Sequence, residues 1–144
     1  MKIVVQRVKK ASVTVEDKVT GKIDEGLLLL VGFTYGDTKE TIDYMIKKVI
    51  NLRIFDDNNG VMNLSVQDIN GSILSVSQFT LYGDAKKGNR LSYIDALKGE
   101  EATLLYDYFN CELKKLIHTE TGIFGADMKV ELLNDGPVTI ILEK

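Results

Sequence analysis

Leu27-Leu28-Leu29-Leu30-Val31-Gly32-Phe33 is the stretch on which the fold turns. It is a continuous apolar run with no polar residue at alternate positions. Such a run reads as a strand covered on both faces, not one with a solvated side. Upstream, Ile3 and Val5, with slippage to Val8, open a β-rich segment, and Val13 and Val15 alternate with Ser12, Thr14 and Glu16. Glu16-Asp17-Lys18 is a polar break, Val19 to Ile23 a returning strand, and Asp24-Glu25-Gly26 a second turn. Downstream, Ile42, Met45, Ile46, Val49 and Ile50 fall on one helical face. Asp37 is the expected cap of that helix, with Glu40 three residues on as a capping-box variant.

The rest of the chain continues the alternation. Leu52–Phe55 reads as a strand, Asp56-Asp57-Asn58-Asn59-Gly60 as a turn, and Asn70-Gly71 as a hairpin leading into a strand over Ser72–Leu81. Gly83–Arg90 is a polar loop. A second helix is expected from about Glu100 to Ile117, with Leu105, Phe109, Leu113 and Leu116 on one face. Thr119–Gly125 reads as a loop, and Met128–Leu133 and Val138–Leu142 as strands joined by Asn134-Asp135-Gly136-Pro137. Two helices with eight or nine strands predict an α+β fold.

Composition bounds the function. At 144 residues the chain is expected to form one domain, residues 1–144, able to hold a core without a disulfide or metal staple. One Cys excludes an internal disulfide, and one His excludes metal sites that need two. A net charge of −3 excludes a general basic coat for nucleic acid, though not a local patch. No signal peptide or membrane-spanning run is visible, so a cytoplasmic protein is expected, with no membrane, metal or cofactor partner.

Most single motifs fail on chemistry. Gly83 to Gly88 has the glycine spacing of a phosphate loop, but Asn89-Arg90 stands where Lys-Ser/Thr is required. Lys86, Lys87 and Arg90 remain as a cationic cluster suited to phosphate contact. His118 is expected to cap the second helix, and Cys111 to be a structural thiol with no sequence-local base. Phe55 occupies the first ligand position of a calcium loop, which leaves Asp56–Gly60 as a turn. Gly122-Ile123-Phe124-Gly125 has the GxxG of a KH loop, in the wrong context between helix and strand. Two segments are harder to dismiss. Ser77-Gln78-Phe79-Thr80-Leu81 puts Ser, Gln and Thr at the end of an apolar strand. Asn134-Asp135-Gly136-Pro137-Val138-Thr139 carries the one proline, after a glycine, where a cis bond is cheap.

Together these segments resemble the signature pair of the D-aminoacyl-tRNA (D-tyrosyl-tRNA) deacylases. Val4–Val8, Ala11–Val15, Asn51–Phe55, Met62–Ser65, Lys87–Arg90 and Thr121–Met128 also resemble that family's blocks, in order, over nearly the whole chain. One departure is Arg90-Leu91-Ser92-Tyr93, where many members have Arg-Pro-Ser-Phe.

The resemblance implies a layered β/β/α fold with mainly antiparallel strands and two main helices. It implies hydrolysis of the ester between a D-amino acid and the 3′-terminal adenosine of tRNA, and of mischarged glycyl-tRNA. It further implies a homodimer with active sites at the subunit interface and L-aminoacyl-tRNA rejected by a cross-subunit Gly-cisPro motif. Ser77, Gln78, Phe79 and Thr80 would be catalytic. Gly136, Pro137, Val138, Thr139, Arg7, Phe124 and Met128 would bind substrate, with Arg7 bracing the Gly-Pro segment. Lys86, Lys87 and Arg90 would touch tRNA at the acceptor end. With no base evident near Thr80, water attack assisted by the terminal 2′-hydroxyl is expected over nucleophilic attack by Thr80. The rival class is a non-enzymatic RNA-binding module using the same cations and the GxxG loop.

Overall fold

β1 (Lys2–Val15) is the spine of the structure, a computed structural model describing residues 1–144. It is one unbroken strand, not two short ones. Ile3, Val5, Val8, Ala11 and Val13 are all buried, and the phase change at Arg7-Val8 is absorbed by irregular pairing. Glu16 and Asp17, both with positive φ, turn the chain into β2 (Lys18–Ile23), which returns along the second half of β1. β3 (Gly26–Gly32) pairs antiparallel with the first half.

The apolar run behaves as its composition requires. Leu27, Leu29 and Val31 join a core that includes Ile42, Met45, Val49, Phe109 and Leu113 from two helices, α1 (Lys39–Asn51) and α2 (Gly99–Lys114). Leu28 faces the other way, into a second core with Val8, Ala11, Val13, Ile23, Leu74 and Val76. β2 comes against β7 (Thr119–Thr121), so the sheet curls almost into a barrel around this second core, while the helices cover its outer face. This is the expected layering of sheet, sheet and helix.

The remaining pairings are not all antiparallel. β6 (Ser72–Ser77) runs parallel to β3, and β7 runs parallel to β6. Each parallel step needs a crossover, which α1 and α2 supply. The Asn70-Gly71 hairpin is therefore absent. Residues 65–71 coil back on themselves, with Gly71 N–H donating to Val66 O at 2.9 Å, and deliver the chain to β3. The strand expected over Leu52–Phe55 shrinks to β4 (Phe55–Asp56), paired with β5 (Met62–Leu64) across a turn in which Asp57 accepts from the Asn59 and Val61 amides.

Other boundaries also move. Thr38, not Asp37, caps α1, with Thr41 completing the capping box. Asp37 instead accepts from the Met1 α-ammonium at 2.6 Å and the Thr34 amide at 2.8 Å. α2 stops at Lys114, so Leu116 is exposed and His118 lies beyond the helix, 3.4 Å from Glu120, capping nothing. Cys111 is exposed on α2 and so packs in no core. Thr119–Thr121 is strand rather than loop, which puts the GxxG segment between two strands. β8 (Lys129–Glu143) is one strand along all of β1, not two strands joined by a reversal.

Parallel pairing of β3 and β6 depends on close approach at Gly26. A Cβ there would lie 1.8 Å from the Ser72 carbonyl oxygen, a backbone atom that cannot rotate aside. Gly26→Ala is expected to lower stability by about 3 kcal/mol. A urea midpoint unchanged from wild type would contradict the parallel register.

Candidate active site

Three parallel strands end at one edge of the sheet, and the chain leaving each of them lines a single cleft of about 290 Å³. β3 contributes Val31, Gly32 and Phe33. β6 and its exit contribute Val76, Ser77, Gln78 and Phe79. The segment after β7 contributes Phe124, Gly125, Ala126, Asp127 and Met128. Leu97 and Ala102 close the side nearest α2, and Val130 comes from β8. Ligands commonly bind beyond the carboxyl ends of parallel strands, where the backbone diverges and leaves a crevice.

Local bonding fixes the cleft's walls. The Gln78 amide donates to Val31 O at 2.7 Å, which extends the β3–β6 pairing by one residue. A Cβ on Gly32 would meet Gln78 O at 2.9 Å, so only glycine admits this approach. The strand then ends, and Phe79–Tyr82 forms a 3₁₀ turn where continued alternation to Leu81 is the sequence expectation. Gln78 and Thr80 do not share a strand face. Instead the Gln78 side-chain amide donates to Thr80 Oγ1. A helical turn leaves its first N–H groups without intrahelical acceptors, here those of Phe79 and Thr80. On the far wall, the Tyr106 hydroxyl and the Gly122 amide both donate to Ser75 O, at 2.8 and 2.9 Å. Tyr106 packs against Phe124 with ring centroids 5.7 Å apart, and its burial raises the phenol pKa.

Chemically the cleft is poor in titratable groups. Asp127 is the one ionisable residue in its lining, and it is exposed and paired with Lys129 at 2.9 Å. The nearby Tyr82 phenol is held protonated by burial and by the Asp37 and Glu143 carboxylates. Such a site can position, exclude water selectively and donate backbone hydrogen bonds. Its side chains offer no evident general base.

Ser77, Gln78, Phe79, Phe124 and Met128, all named as site candidates from the sequence, line this one cleft. Thr80 stands just outside the lining, held by Gln78. Lys86, Lys87 and Arg90 are exposed on a loop whose base is closed by paired Asp84 and Ser92 amides and carbonyls, both at 2.9 Å. Val31–Phe33, Val76, Leu97, Ala102, Gly125–Asp127 and Val130 also line the cleft and are not singled out as site residues by the sequence. Their signal is the parallel-strand rule, which needs the pairing of β3 with β6 to be known first.

The second signature segment lies elsewhere. On β8, the four residues Asp135–Val138 stand opposite the single Arg7 of β1, a wide bulge. Proline has no N–H to give a ladder, which suits it to such a place. The Gly136–Pro137 peptide bond is cis, and both residues are exposed. Asn134 pins the bulge by accepting from the Val138 amide at 3.0 Å and donating to Thr139 Oγ1 at 3.1 Å. Buried Arg7 fills it from below. Its Nε donates to Asp135 O at 3.0 Å and its Nη1 to Ile54 O at 2.7 Å. Gly136 has φ +126°, and a Cβ on it would sit 3.0 Å from Arg7 Nη2. The strand registers put this bulge roughly 20 Å from Ser77 of the same chain, four residues along and three strand spacings across.

The family model described as D-Tyr-tRNA(Tyr) deacylase matches residues 4–143. The chain belongs to that family. Among solved structures, one titled "c-Myc DNA Unwinding Element Binding Protein" is 42% identical, with a TM-score of 0.94 over 100% of this chain and 99% of that one. A second, titled "Structural Analysis of a probable eukaryotic D-amino acid tRNA deacylase", is 16% identical. It shares the fold, with a TM-score of 0.84 over 98% of this chain and 97% of that one. As a member of the deacylase family the chain is a hydrolase, a D-aminoacyl-tRNA deacylase whose substrate is aminoacyl-tRNA. No helix in this deacylase is long and apolar enough to cross a membrane.

Arg7 gives the deacylase a direct test of its bulge. Arg7→Met is expected to cost about 2–3 kcal/mol, because Ile54 O and Asp135 O lose their donor. Deacylation should fall as well, measured below the variant's unfolding transition. Full activity in a destabilised variant would show that the bulge serves folding alone.

Proposed function

We propose that the cleft binds the 3′-terminal aminoacyl-adenosine of D-aminoacyl-tRNA, and that each active site is completed by a second copy of the chain. The observation that carries the second half is the position of the Gly136–Pro137 bulge. It is braced, exposed and out of reach of Ser77–Phe79 in its own chain. Gly136–Pro137 of the partner subunit would then enter the cleft, offer carbonyls to the substrate ammonium and occupy the space an L side chain requires. Exposed Leu132, Leu133 and Ile141 give β8 apolar area to bury in a dimer. Glycyl-tRNA, lacking a side chain, would meet no such block, and the protein acts as a chiral proofreader of tRNA charging in the cytoplasm.

In this reading Gln78, Phe79 and Thr80 are positioning and oxyanion elements. The free amides at the start of the 3₁₀ turn would stabilise the oxyanion while water attacks the ester carbon, assisted by the terminal ribose 2′-hydroxyl. The bond between acyl carbon and ribose 3′-oxygen breaks, releasing free D-amino acid and tRNA. The absence of a titratable base around Thr80 supports water over Thr80 as nucleophile. Lys86, Lys87 and Arg90 would hold acceptor-end phosphates, remote from the chemistry.

Release of tyrosine from D-tyrosyl-tRNA and L-tyrosyl-tRNA tests the reading. Rapid release from the D substrate alone, by a dimer in sedimentation, is expected. A monomer of full activity would refute the shared site. Binding of tRNA with no release would leave an RNA-binding module.

Thr80→Val separates the two nucleophiles. The variant should retain substantial activity and a substrate ending in 2′-deoxyadenosine should react poorly. Abolished hydrolysis, with an acyl-enzyme trapped in the wild type, would assign the attack to Thr80.

A further inference from the structure

Lys98 is placed against the local rules of its own helix. It is the N-cap of α2, where Ser, Thr, Asp or Asn would satisfy an amide, and its side chain caps nothing. A cation there also faces the positive end of the helix dipole. It takes part in none of the chain's ion pairs. Its ammonium instead lies over two aromatic rings, 5.1 Å from the centroid of Phe79 and 5.3 Å from that of Tyr93. Those rings pack edge to face at 5.2 Å, and Phe79 lines the cleft. The preceding segment is anchored to the end of β3, with Leu97 N–H donating to Phe33 O at 3.0 Å and Thr34 Oγ1 to Asp95 O at 2.7 Å. Lys98 is therefore a cation held by aromatic faces on the rim of the cleft, on a rigid mount.

The cleft itself contains no Lys or Arg. Its volume, about 290 Å³, is at the lower end for a small-ligand pocket and leaves no room for nucleotides upstream of the terminal aminoacyl-adenosine. The phosphate on the 5′ side of that nucleoside must cross the rim. Asp127 on the rim is already neutralised by Lys129, 2.9 Å away, which leaves Lys98 as the rim cation with no carboxylate partner. Resting on the function proposed above, we infer that Lys98 binds the phosphodiester immediately 5′ of the terminal adenosine, and so sets where the acyl ester sits relative to Gln78 and Phe79.

The test compares three D-tyrosyl esters, of tRNA, of 5′-AMP and of adenosine, with wild type, Lys98→Gln and Lys98→Arg. In wild type the 5′-phosphate should lower KM. Lys98→Gln should raise KM about fivefold for the tRNA and 5′-AMP esters, leave the adenosine ester unchanged, and reduce the salt slope for tRNA by about 0.7, the contribution of one single-strand phosphate. Lys98→Arg should restore the phosphate effect. Equal losses on all three esters would mean that Lys98 only props Phe79, and an unchanged KM and salt slope would mean that it touches no phosphate. Either overturns the inference while leaving the deacylase reading intact. A wild type that hydrolyses none of the three overturns both.

Discussion

A buried guanidinium under a strand bulge is the constraint from which the rest of this molecule is organised. Arg7 is only 7% exposed and lies where the β1–β8 ladder skips. Burying that charge is tolerable because carbonyls of Ile54 and Asp135 accept from it, with Asp56 and Asp135 carboxylates at 3.4 and 3.5 Å. The same contacts tie three separate segments together, namely the long strand pair and the short β4–β5 ribbon. They also force the Gly136–Pro137 backbone outward, because the space beneath it is occupied. A feature that looks like a flaw in the ladder is thus a rigid pedestal for two exposed residues.

The cleft depends on a different device, the switch of β3 from an antiparallel neighbour on one side to a parallel neighbour on the other. Parallel pairing puts the ends of β3, β6 and β7 at one edge, and the chain must diverge there to reach its crossovers. Gly32 lets Gln78 come close, and the end of the ladder leaves the amides of Phe79 and Thr80 unpaired by regular structure. A deacylase whose cleft holds no ionisable side chain beyond the exposed, Lys129-paired Asp127 needs such backbone donors more than it needs reactive side chains. Positioning and electrostatic preorganisation can supply the larger share of a rate enhancement when the nucleophile comes from solvent or substrate. A single His, which excludes metal sites that need two, and a single Cys with no sequence-local base are consistent with that division of labour.

Legibility in the sequence followed the range of the forces involved. Leu27–Phe33 announced a strand buried on both sides because six apolar side chains have no other comfortable environment, and the face of α1 was visible for the same reason. Residue chemistry and order identified Ser77–Thr80 and Asn134–Thr139 as the segments to watch, and the family resemblance added Phe124 and Met128. Asn70-Gly71 and Asn134-Asp135-Gly136-Pro137 misled, since turn formers specify a local bend and not what the chain does afterwards. One bend feeds a parallel crossover and the other is a bulge within a single strand.

What the sequence by itself determined was therefore the class of fold, the buried faces and the chemical repertoire of the site, all of which are local consequences of side-chain type and spacing. Tertiary structure alone decided that β6 lies parallel to β3, that the strand ends at Ser77, and that Val31–Phe33 and Leu97 share a cleft with Phe124. Those outcomes rest on pairings between residues far apart in the chain. Their energies come from joint burial and shared hydrogen bonds, and neither exists until both partners are in place.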